Sequence, residues 1–186
     1  MKNAALNNFL LALSMVLIVV LASPTSLSLA VGGVFLGVGV IFRIWAAGHL
    51  ARNNEITTSG PYAYVRDPLY LGRLLIMLGL FISAWGYAIY VLPVAVLVFF
   101  TGYMPRKHSQ EMSRLEQLFG DEYTRYAEYA RSLLPKLKPY PEARVRSWGF
   151  DLFWSNNREQ YFLLLVAIVY GLVLTQRTMP ILDRIT

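Results

Sequence analysis

Apolar and polar residues occur along this chain in long blocks. Three blocks contain no Asp, Glu, Lys, Arg or His: residues 3–42, 74–105 and 160–176. Uncharged stretches of about 20 residues are typical of helices that cross a membrane. The first block is long enough for two such helices, with a turn at residues 23–26 (SPTS). The second block breaks at residues 84–87 (AWGY), which predicts a short helical hairpin.

This pattern predicts an all-α fold, a polytopic membrane protein with a single domain over residues 1–186. Five transmembrane helices are expected near residues 5–22, 27–47, 69–84, 87–104 and 161–175.

The segment between the fourth and fifth predicted spans, residues 106–160, is polar but keeps apolar residues at helical spacing as far as Leu134. We therefore predict an amphipathic helix or pair of helices whose first turn lies at the level of the lipid headgroups. Gly120 can close the first helix, and Asp121 can cap the second.

Composition supports a membrane protein and narrows the chemistry. The chain is 56% hydrophobic and 15% charged, whereas soluble domains carry about 25% charged residues. Cysteine is absent and there are two histidines, so we expect no disulfide and no metal site. The net charge is +6, but the basic residues flank apolar segments. We therefore expect anionic membrane lipids, and no nucleic acid, as the partners of this charge.

The basic residues also predict an orientation. With five spans, every Lys and Arg except Arg177 and Arg184 lies on the side of the N-terminus. The positive-inside rule then predicts an inner-membrane protein with its N-terminus on the cytoplasmic side and its C-terminus on the opposite side. A competing interpretation takes the first apolar run as a cleaved signal peptide.

The connection over residues 47–72 is dense in hydrogen-bonding and aromatic groups. Irregular polar backbone at a membrane edge needs a buried or ligand-lined setting. Arg66 and Asp67 lie at the start of the third span, where ionisable residues are functional candidates. The alternative is an interfacial loop anchored by tyrosines and arginines.

Two segments, the first motif (residues 60–72) and the second motif (residues 111–126), resemble the signatures of a known family. Residues 60–72, GPYAYVRDPLYLG, are similar to G-x-Y-x-x-x-R-(H/N)-P-x-Y-x-G. Residues 111–126, EMSRLEQLFGDEYTRY, are similar to E-E-x-x-L-x-x-x-F-G-x-E-Y-x-x-Y. Both signatures belong to the integral-membrane methyltransferases typified by isoprenylcysteine carboxyl methyltransferase and the phospholipid N-methyltransferases. The resemblance covers roughly residues 37–135.

The resemblance implies S-adenosylmethionine as the cofactor, held at the cytoplasmic membrane face, and a small or lipid-like acceptor that enters from the bilayer. It implies that the cofactor is bound by residues of the connection, the third span and the second motif: Arg52, Asn54, Glu55, Ile56, Thr57, Tyr62, Arg66, Asp67, Pro68, Leu69, Tyr70 and Glu111. Lys107 matches a basic residue that orients an acceptor carboxylate, and Arg106 lies beside it. An amine or phenol acceptor must also lose a proton, and by their chemistry Asp67, Tyr64 and Tyr70 are all candidates to assist.

The chemistry of the cofactor agrees with these roles. It carries an ammonium, a carboxylate and a sulfonium, which an acid, a base and aromatic faces can bind. Glu111, Arg52 and either Tyr62 or Tyr70 are the candidates. Lys107 and Glu111 are four residues apart and share one helix face, although a solvated salt bridge would have the same spacing.

Two positions depart from the family pattern. Met112 replaces the second acid of the E-E pair, and Asp67 replaces the usual His or Asn. Two other hypotheses therefore remain: an NADPH-dependent membrane sterol or enone reductase, and a non-catalytic scaffold of the same fold. Gly33 and Gly37 have the spacing of a close helix contact, and we favour packing as the role of the glycines in this span.

Overall fold

A computed structural model of the protein describes residues 15–52 and 55–178, without the side chains of residues 103, 105–110 and 156. The described residues form helices and connecting loops, and no strand occurs among them beyond an isolated bridge between Ser23 and Trp85. The α-helices are α1 (Ser26–Ala47), α2 (Pro68–Ala84), α3 (Leu92–Val98), α4 (Met104–Phe119), α5 (Asp121–Tyr129) and α6 (Glu159–Thr175). The 3-10 helices are Gly60–Ala63 and Gly86–Val91, and the π-helices are Phe99–Tyr103 and Leu152–Asn156.

Residues 86–119 form one continuous helical run, in which 3-10, α and π turns follow one another. Its apolar first part and α2 are the two arms of the predicted hairpin. Of the first predicted span, residues 15–20 are described and are helical. The all-helical class is confirmed for the described residues.

The start of α1 follows from its cap. The Thr25 side chain accepts a hydrogen bond from the backbone N–H of Ser28, and the Ser28 hydroxyl accepts one from the N–H of Thr25. This reciprocal pair satisfies two of the N–H groups that have no partner within a helix. The predicted turn at residues 23–26 therefore ends where the capping box begins.

Glycines bring α1 and α2 into close contact. A Cβ on Gly32 would lie 2.6 Å from the carbonyl oxygen of Gly79, and one on Gly39 would lie 2.8 Å from that of Gly72. The two helices are antiparallel and touch at glycines seven residues apart on each. The prediction of close packing was right, but its residues were wrong, because Gly37 meets no atom within 4 Å and Gly33 only the Tyr170 hydroxyl at 3.4 Å.

The break in the hairpin comes from two consecutive residues with positive φ, Trp85 at 50° and Gly86 at 53°. The N–H of Ser23 donates to the carbonyl of Ala84 at 2.8 Å, which ties the turn before α1 to the end of α2. A Cβ on Gly86 would lie 2.7 Å from that of Ser23. The predicted break at residues 84–87 is confirmed.

Gly120, with a φ of 51°, separates α4 from α5. Gly120 itself occupies the cap position of α5, and no side chain caps that helix. Asp121 is the first helical residue, so its predicted role as the cap was wrong. Its carboxylate instead lies in the first turn, where the helix dipole stabilises a negative charge. The helix ends at Tyr129, short of the predicted end at Leu134.

The fold contains two apolar clusters. The larger packs α2 and α6 together with residues near 18–22, and includes Ile76, Leu80, Phe81 and Val173. The smaller joins α5 to the connection before α2, through Ile56, Tyr123, Tyr126, Ala130 and Tyr140. This second cluster holds residues of the second motif against Ile56 of the connection.

Within the described residues, α1 is the one helix long and apolar enough to cross a membrane. Three shorter apolar helices accompany it, residues 68–84, 86–102 and 159–175. Opposite the glycine face of α1, Leu27, Val34 and Ile41 are between 65% and 74% exposed.

Candidate functional site

A cavity of about 380 Å³ lies between α1, α2, α4, α5, the start of α6 and the connection before α2. Its volume falls in the range of small-molecule sites, roughly 300–1,000 Å³. Both sequence motifs contribute to its wall.

Most of the predicted cofactor-binding residues line this cavity: Arg52, Glu55, Ile56, Thr57, Tyr62, Arg66, Asp67, Pro68, Leu69, Tyr70 and Glu111. Asn54 lies outside the described residues. The backbones of Arg106 and Lys107 belong to α4, but their side chains are outside the described part of the chain. Among the predicted cofactor-binding residues, the structure thus brings together positions up to 59 apart in sequence, from Arg52 to Glu111.

The connection between α1 and α2 is held in shape by local hydrogen bonds. The N–H of Ala51 donates to the Thr57 hydroxyl at 3.1 Å, and His49 Nδ1 lies 3.1 Å from the Ser59 hydroxyl. Gly60 has a φ of 58°, and a Cβ there would lie 2.5 Å from the His49 ring. Burial and the charge of Arg146 lower the pKa of His49, so the ring is neutral at physiological pH. His49 therefore packs and fixes the loop.

Two backbone bonds tie the first motif to the segment after α5. The N–H of Arg66 donates to the carbonyl of Arg131 at 2.9 Å, and that of Asp67 to the carbonyl of Ser132 at 3.1 Å. The Asp67 carboxylate accepts a hydrogen bond from the Ser132 hydroxyl at 2.5 Å and lies 3.6 Å from Arg66 Nε. These contacts fix the start of α2 and orient the Asp67 carboxylate.

The two motifs meet directly at Tyr70 and Glu111. The Tyr70 hydroxyl on α2 donates to Glu111 Oε2 on α4 at 3.0 Å. Because the phenol is the donor, Glu111 remains a carboxylate acceptor with three further lone-pair sites. The pair closes one side of the cavity with a negative charge.

Tyr62 lines the cavity and is 6% exposed. The hydroxyl of Tyr126 donates to its backbone carbonyl at 2.8 Å. The hydroxyl of Tyr62 itself is buried and bonds to no described atom. The pKa of Tyr62 is raised well above its ordinary value. Burial is the main cause, and the neighbouring Tyr126 is the second. The group is therefore a protonated donor without a protein acceptor among the described residues.

Glu55 is already engaged by the protein. Arg144 Nη1 donates to one of its carboxylate oxygens at 2.9 Å, and Arg146 forms an ion pair with the other. Arg144 also contacts Glu122 at 2.7 Å. Glu55 thus links the loop to residues 144–146 and to α5, in addition to lining the cavity.

Sequence reasoning missed a buried charged cluster at the end of the cavity formed by α1, α2 and α6. Arg43 forms an ion pair with Glu159, and the two side chains are 5% and 6% exposed. Arg73 lines the same wall. Each of the ion-pair residues adjoins an uncharged block, which is a signal for either an interfacial anchor or a functional residue. The other lining residues that were not predicted are Leu50, Ala51, Met112, Arg114, Leu115, Tyr123 and Tyr126.

Across residues 15–52 and 55–178, no three His, Cys, Asp or Glu side chains come together as metal ligands would.

Comparison with known proteins gives a family match. The phospholipid methyltransferase family matches residues 9–122, which include all of the first motif and most of the second. The chain is also similar to the cobalt-zinc-cadmium resistance protein CzcN of Cupriavidus metallidurans, with 35% identity over 153 residues. That match covers 79% of this chain and 66% of the length of the relative. No solved structure matches at a significant level.

Proposed function

This chain belongs to the phospholipid methyltransferase family, and we propose that it is a membrane-embedded methyltransferase that transfers the methyl group of S-adenosylmethionine to a small or lipid-like acceptor. The observation that carries the proposal is the single cavity lined by both motifs. Residues from each motif touch there, through the hydrogen bond from Tyr70 to Glu111.

The residues present suit this cofactor. Glu111 offers a carboxylate for its ammonium, Arg52 a guanidinium for its carboxylate, and Tyr62 a phenol with no described protein acceptor. Charge-assisted hydrogen bonds of this kind are about twice as strong as neutral ones. When bound, S-adenosylmethionine supplies an electrophilic methyl group.

For methyl transfer, the protein mainly has to align the two reactants and exclude water from the site. Tyr70 orients the Glu111 carboxylate, and the Ser132 hydroxyl orients that of Asp67. The apolar cluster around Ile56 and Tyr123 shields one side of the cavity from water. Since the Tyr70 hydroxyl donates to Glu111, we propose that Tyr70 positions the Glu111 carboxylate for the cofactor ammonium.

We propose that the chain crosses the inner membrane five times, with the site on the cytoplasmic face. The 22-residue helix α1 supports this, because at about 1.5 Å per residue it is long enough to span a hydrocarbon core of about 30 Å. The large exposed apolar residues of α1 then contact lipid. The acceptor enters from the bilayer, and Lys107 or Arg106 at the start of α4 orients it.

The relative CzcN is named for resistance to cobalt, zinc and cadmium. For this chain we propose methyl transfer, rather than metal binding, as the activity.

The test is calorimetric titration of the purified protein with S-adenosylhomocysteine and, separately, with NADPH. We expect binding of the first and none of the second. Glu111→Gln should weaken S-adenosylhomocysteine binding by about tenfold or more, since a hydrogen bond to a charged group is worth about 1.5–3 kcal/mol. Glu116→Gln, an exposed change on the same helix, is the control and should bind like the wild type.

Each alternative has its own result in this titration. Binding of NADPH alone would favour a reductase, and binding of neither compound would favour a non-catalytic scaffold. Equal affinities of wild type and Glu111→Gln for S-adenosylhomocysteine would remove Glu111 from the site.

A further inference from the structure

The Arg43 side chain is fixed on three sides. Its Nε donates to Glu159 Oε1, its Nη1 donates to the carbonyl of Leu69 at 2.9 Å, and its guanidinium carbon lies 4.1 Å from the centre of the Phe162 ring. Arg43 and Glu159 are 4% and 5% exposed. A guanidinium held in this way has little freedom to reorient, so the direction of its remaining donors is set by the fold.

The second terminal nitrogen of Arg43, Nη2, donates to no described atom, although Arg43 lines the cavity. The buried hydroxyl of Tyr62 in the same cavity wall also has no acceptor among the described residues. Buried donors are almost always satisfied by a partner. The Tyr62 hydroxyl is such a buried donor, and Arg43 has its free Nη2 in the wall of the same cavity. Together they indicate that a bound ligand is their partner.

The missing partner must be an acceptor, and its charge follows from the groups around it. Arg73 lies on the same wall, and its guanidinium carbon is 5.3 Å from the same Phe162 ring. Arg43 and Arg73 therefore place two guanidinium groups near the Glu159 carboxylate in the cavity wall. The raised pKa of Tyr62 keeps its phenol protonated, so it cannot bind a cation by ionising.

We propose that Arg43 and Tyr62 form an anion subsite, which takes a carboxylate or phosphate oxygen where α1 and the 3-10 helix Gly60–Ala63 line the cavity. Glu159 is a positioning residue that orients the Arg43 guanidinium. This proposal rests on the proposed function, because methyl transfer supplies two compounds that could carry the anion. These are the methyl donor, through its carboxylate, and the lipophilic acceptor, through an anionic group.

The test measures equilibrium binding of three probes to the purified protein. S-adenosylhomocysteine carries the donor carboxylate, 5′-methylthioadenosine lacks that amino-acid portion, and radiolabelled palmitate is a lipophilic acid. The variants are Tyr62→Phe and Arg43→Gln, with the double change Arg43→Gln and Glu159→Gln in case the single one leaves Glu159 buried without a partner. Tyr161→Phe and Arg125→Gln, both at exposed positions, are the matched controls.

We expect each subsite variant to weaken binding of one anionic probe by about tenfold or more, with affinity for 5′-methylthioadenosine changed less than about twofold. Loss confined to S-adenosylhomocysteine assigns the subsite to the donor, and loss confined to palmitate assigns it to the acceptor. Tyr62→Phe should not lower the melting temperature of the free protein, because its hydroxyl has no described partner to lose.

Two results overturn the proposal. One is wild-type affinity for both anionic probes in both subsite variants. The other is an equal loss for all three probes, which would make Arg43 and Tyr62 structural residues. If the wild type binds palmitate but not S-adenosylhomocysteine, the proposed function fails while the palmitate measurements still decide on the subsite.

Discussion

The ion pair between Arg43 and Glu159 gives a quantitative prediction, because the chain also contains an ion pair of similar chemistry in a different environment. The Arg43 and Glu159 side chains are 5% and 6% exposed. The Arg144 and Glu122 side chains, 2.7 Å apart, are 46% and 44% exposed. Water and salt screen the second pair but not the first.

We expect Glu159→Leu to destabilise the protein by about 3–5 kcal/mol, since it leaves a buried guanidinium without its counter-charge. The Leu69 carbonyl and the Phe162 ring still contact Arg43 and should keep the loss near the lower value. Glu122→Leu should change stability by about 1 kcal/mol or less. The double change of Arg43→Met with Glu159→Leu removes both charges and should recover most of the loss.

The assay is reversible thermal unfolding in detergent micelles, followed by circular dichroism. If the scaling for soluble domains of this size holds, 1 kcal/mol corresponds to about 2–4 °C in melting temperature. Glu159→Leu should thus melt at least about 6 °C below the wild type. Equal shifts for Glu159→Leu and Glu122→Leu would refute the reasoning, as would a double variant less stable than Glu159→Leu alone.

Three further predictions concern packing, topology and the acceptor. Gly39→Ala should destabilise the contact between α1 and α2 by about 1–3 kcal/mol, because the added Cβ would lie 2.8 Å from the Gly72 carbonyl oxygen. Gly37→Ala should be neutral or stabilising, because a Cβ there would meet no atom within 4 Å. A reporter fused after Thr186 should be active only in its periplasmic form, and strong cytoplasmic activity would contradict five spans. Changing both Lys107 and Arg106 to Met should reduce methyl transfer to lipophilic acids while sparing cofactor affinity; unchanged turnover of an acid acceptor would remove them from that role.

The helices could be predicted because their ends carry local signals. Pro68 fills the first position of α2, where its missing N–H has no consequence. Thr25 and Ser28 cap α1, and Gly120 interrupts the run between α4 and α5. Each signal depends on residues within a few positions, so the sequence contains it in full.

The glycine contact shows where local information ends. Spacings of four and of seven residues both place glycines on one face of a helix. The choice between the faces of α1 depends on the partner helix, which presents Gly72 and Gly79 to Gly39 and Gly32. Pairs such as Gly33 and Gly37 have the right spacing on the wrong face. A single sequence contains the spacing but not the partner.

The candidate site divides in the same way. The cofactor-binding residues were predicted from a resemblance to a family, and those described line one cavity. Arg43 and Glu159 are 116 positions apart and adjoin different apolar blocks. In such positions an arginine can either extend toward lipid headgroups or turn inward to a carboxylate. Tertiary structure decides between these, and here it favours the inward arrangement.

The departure at Met112 also has a physical explanation. Met112 lines the cavity and packs against the cluster that contains Ile56 and Tyr123, while Glu111 keeps its contact with Tyr70. A carboxylate at position 112 would lose hydration beside this cluster, so an apolar side chain suits the position that the chain provides. A displacement at carbon needs aligned and dehydrated reactants rather than a second acid. The loss of this acid is therefore compatible with methyl transfer, and it leaves Glu111 as the acidic group of the second motif on the cavity wall.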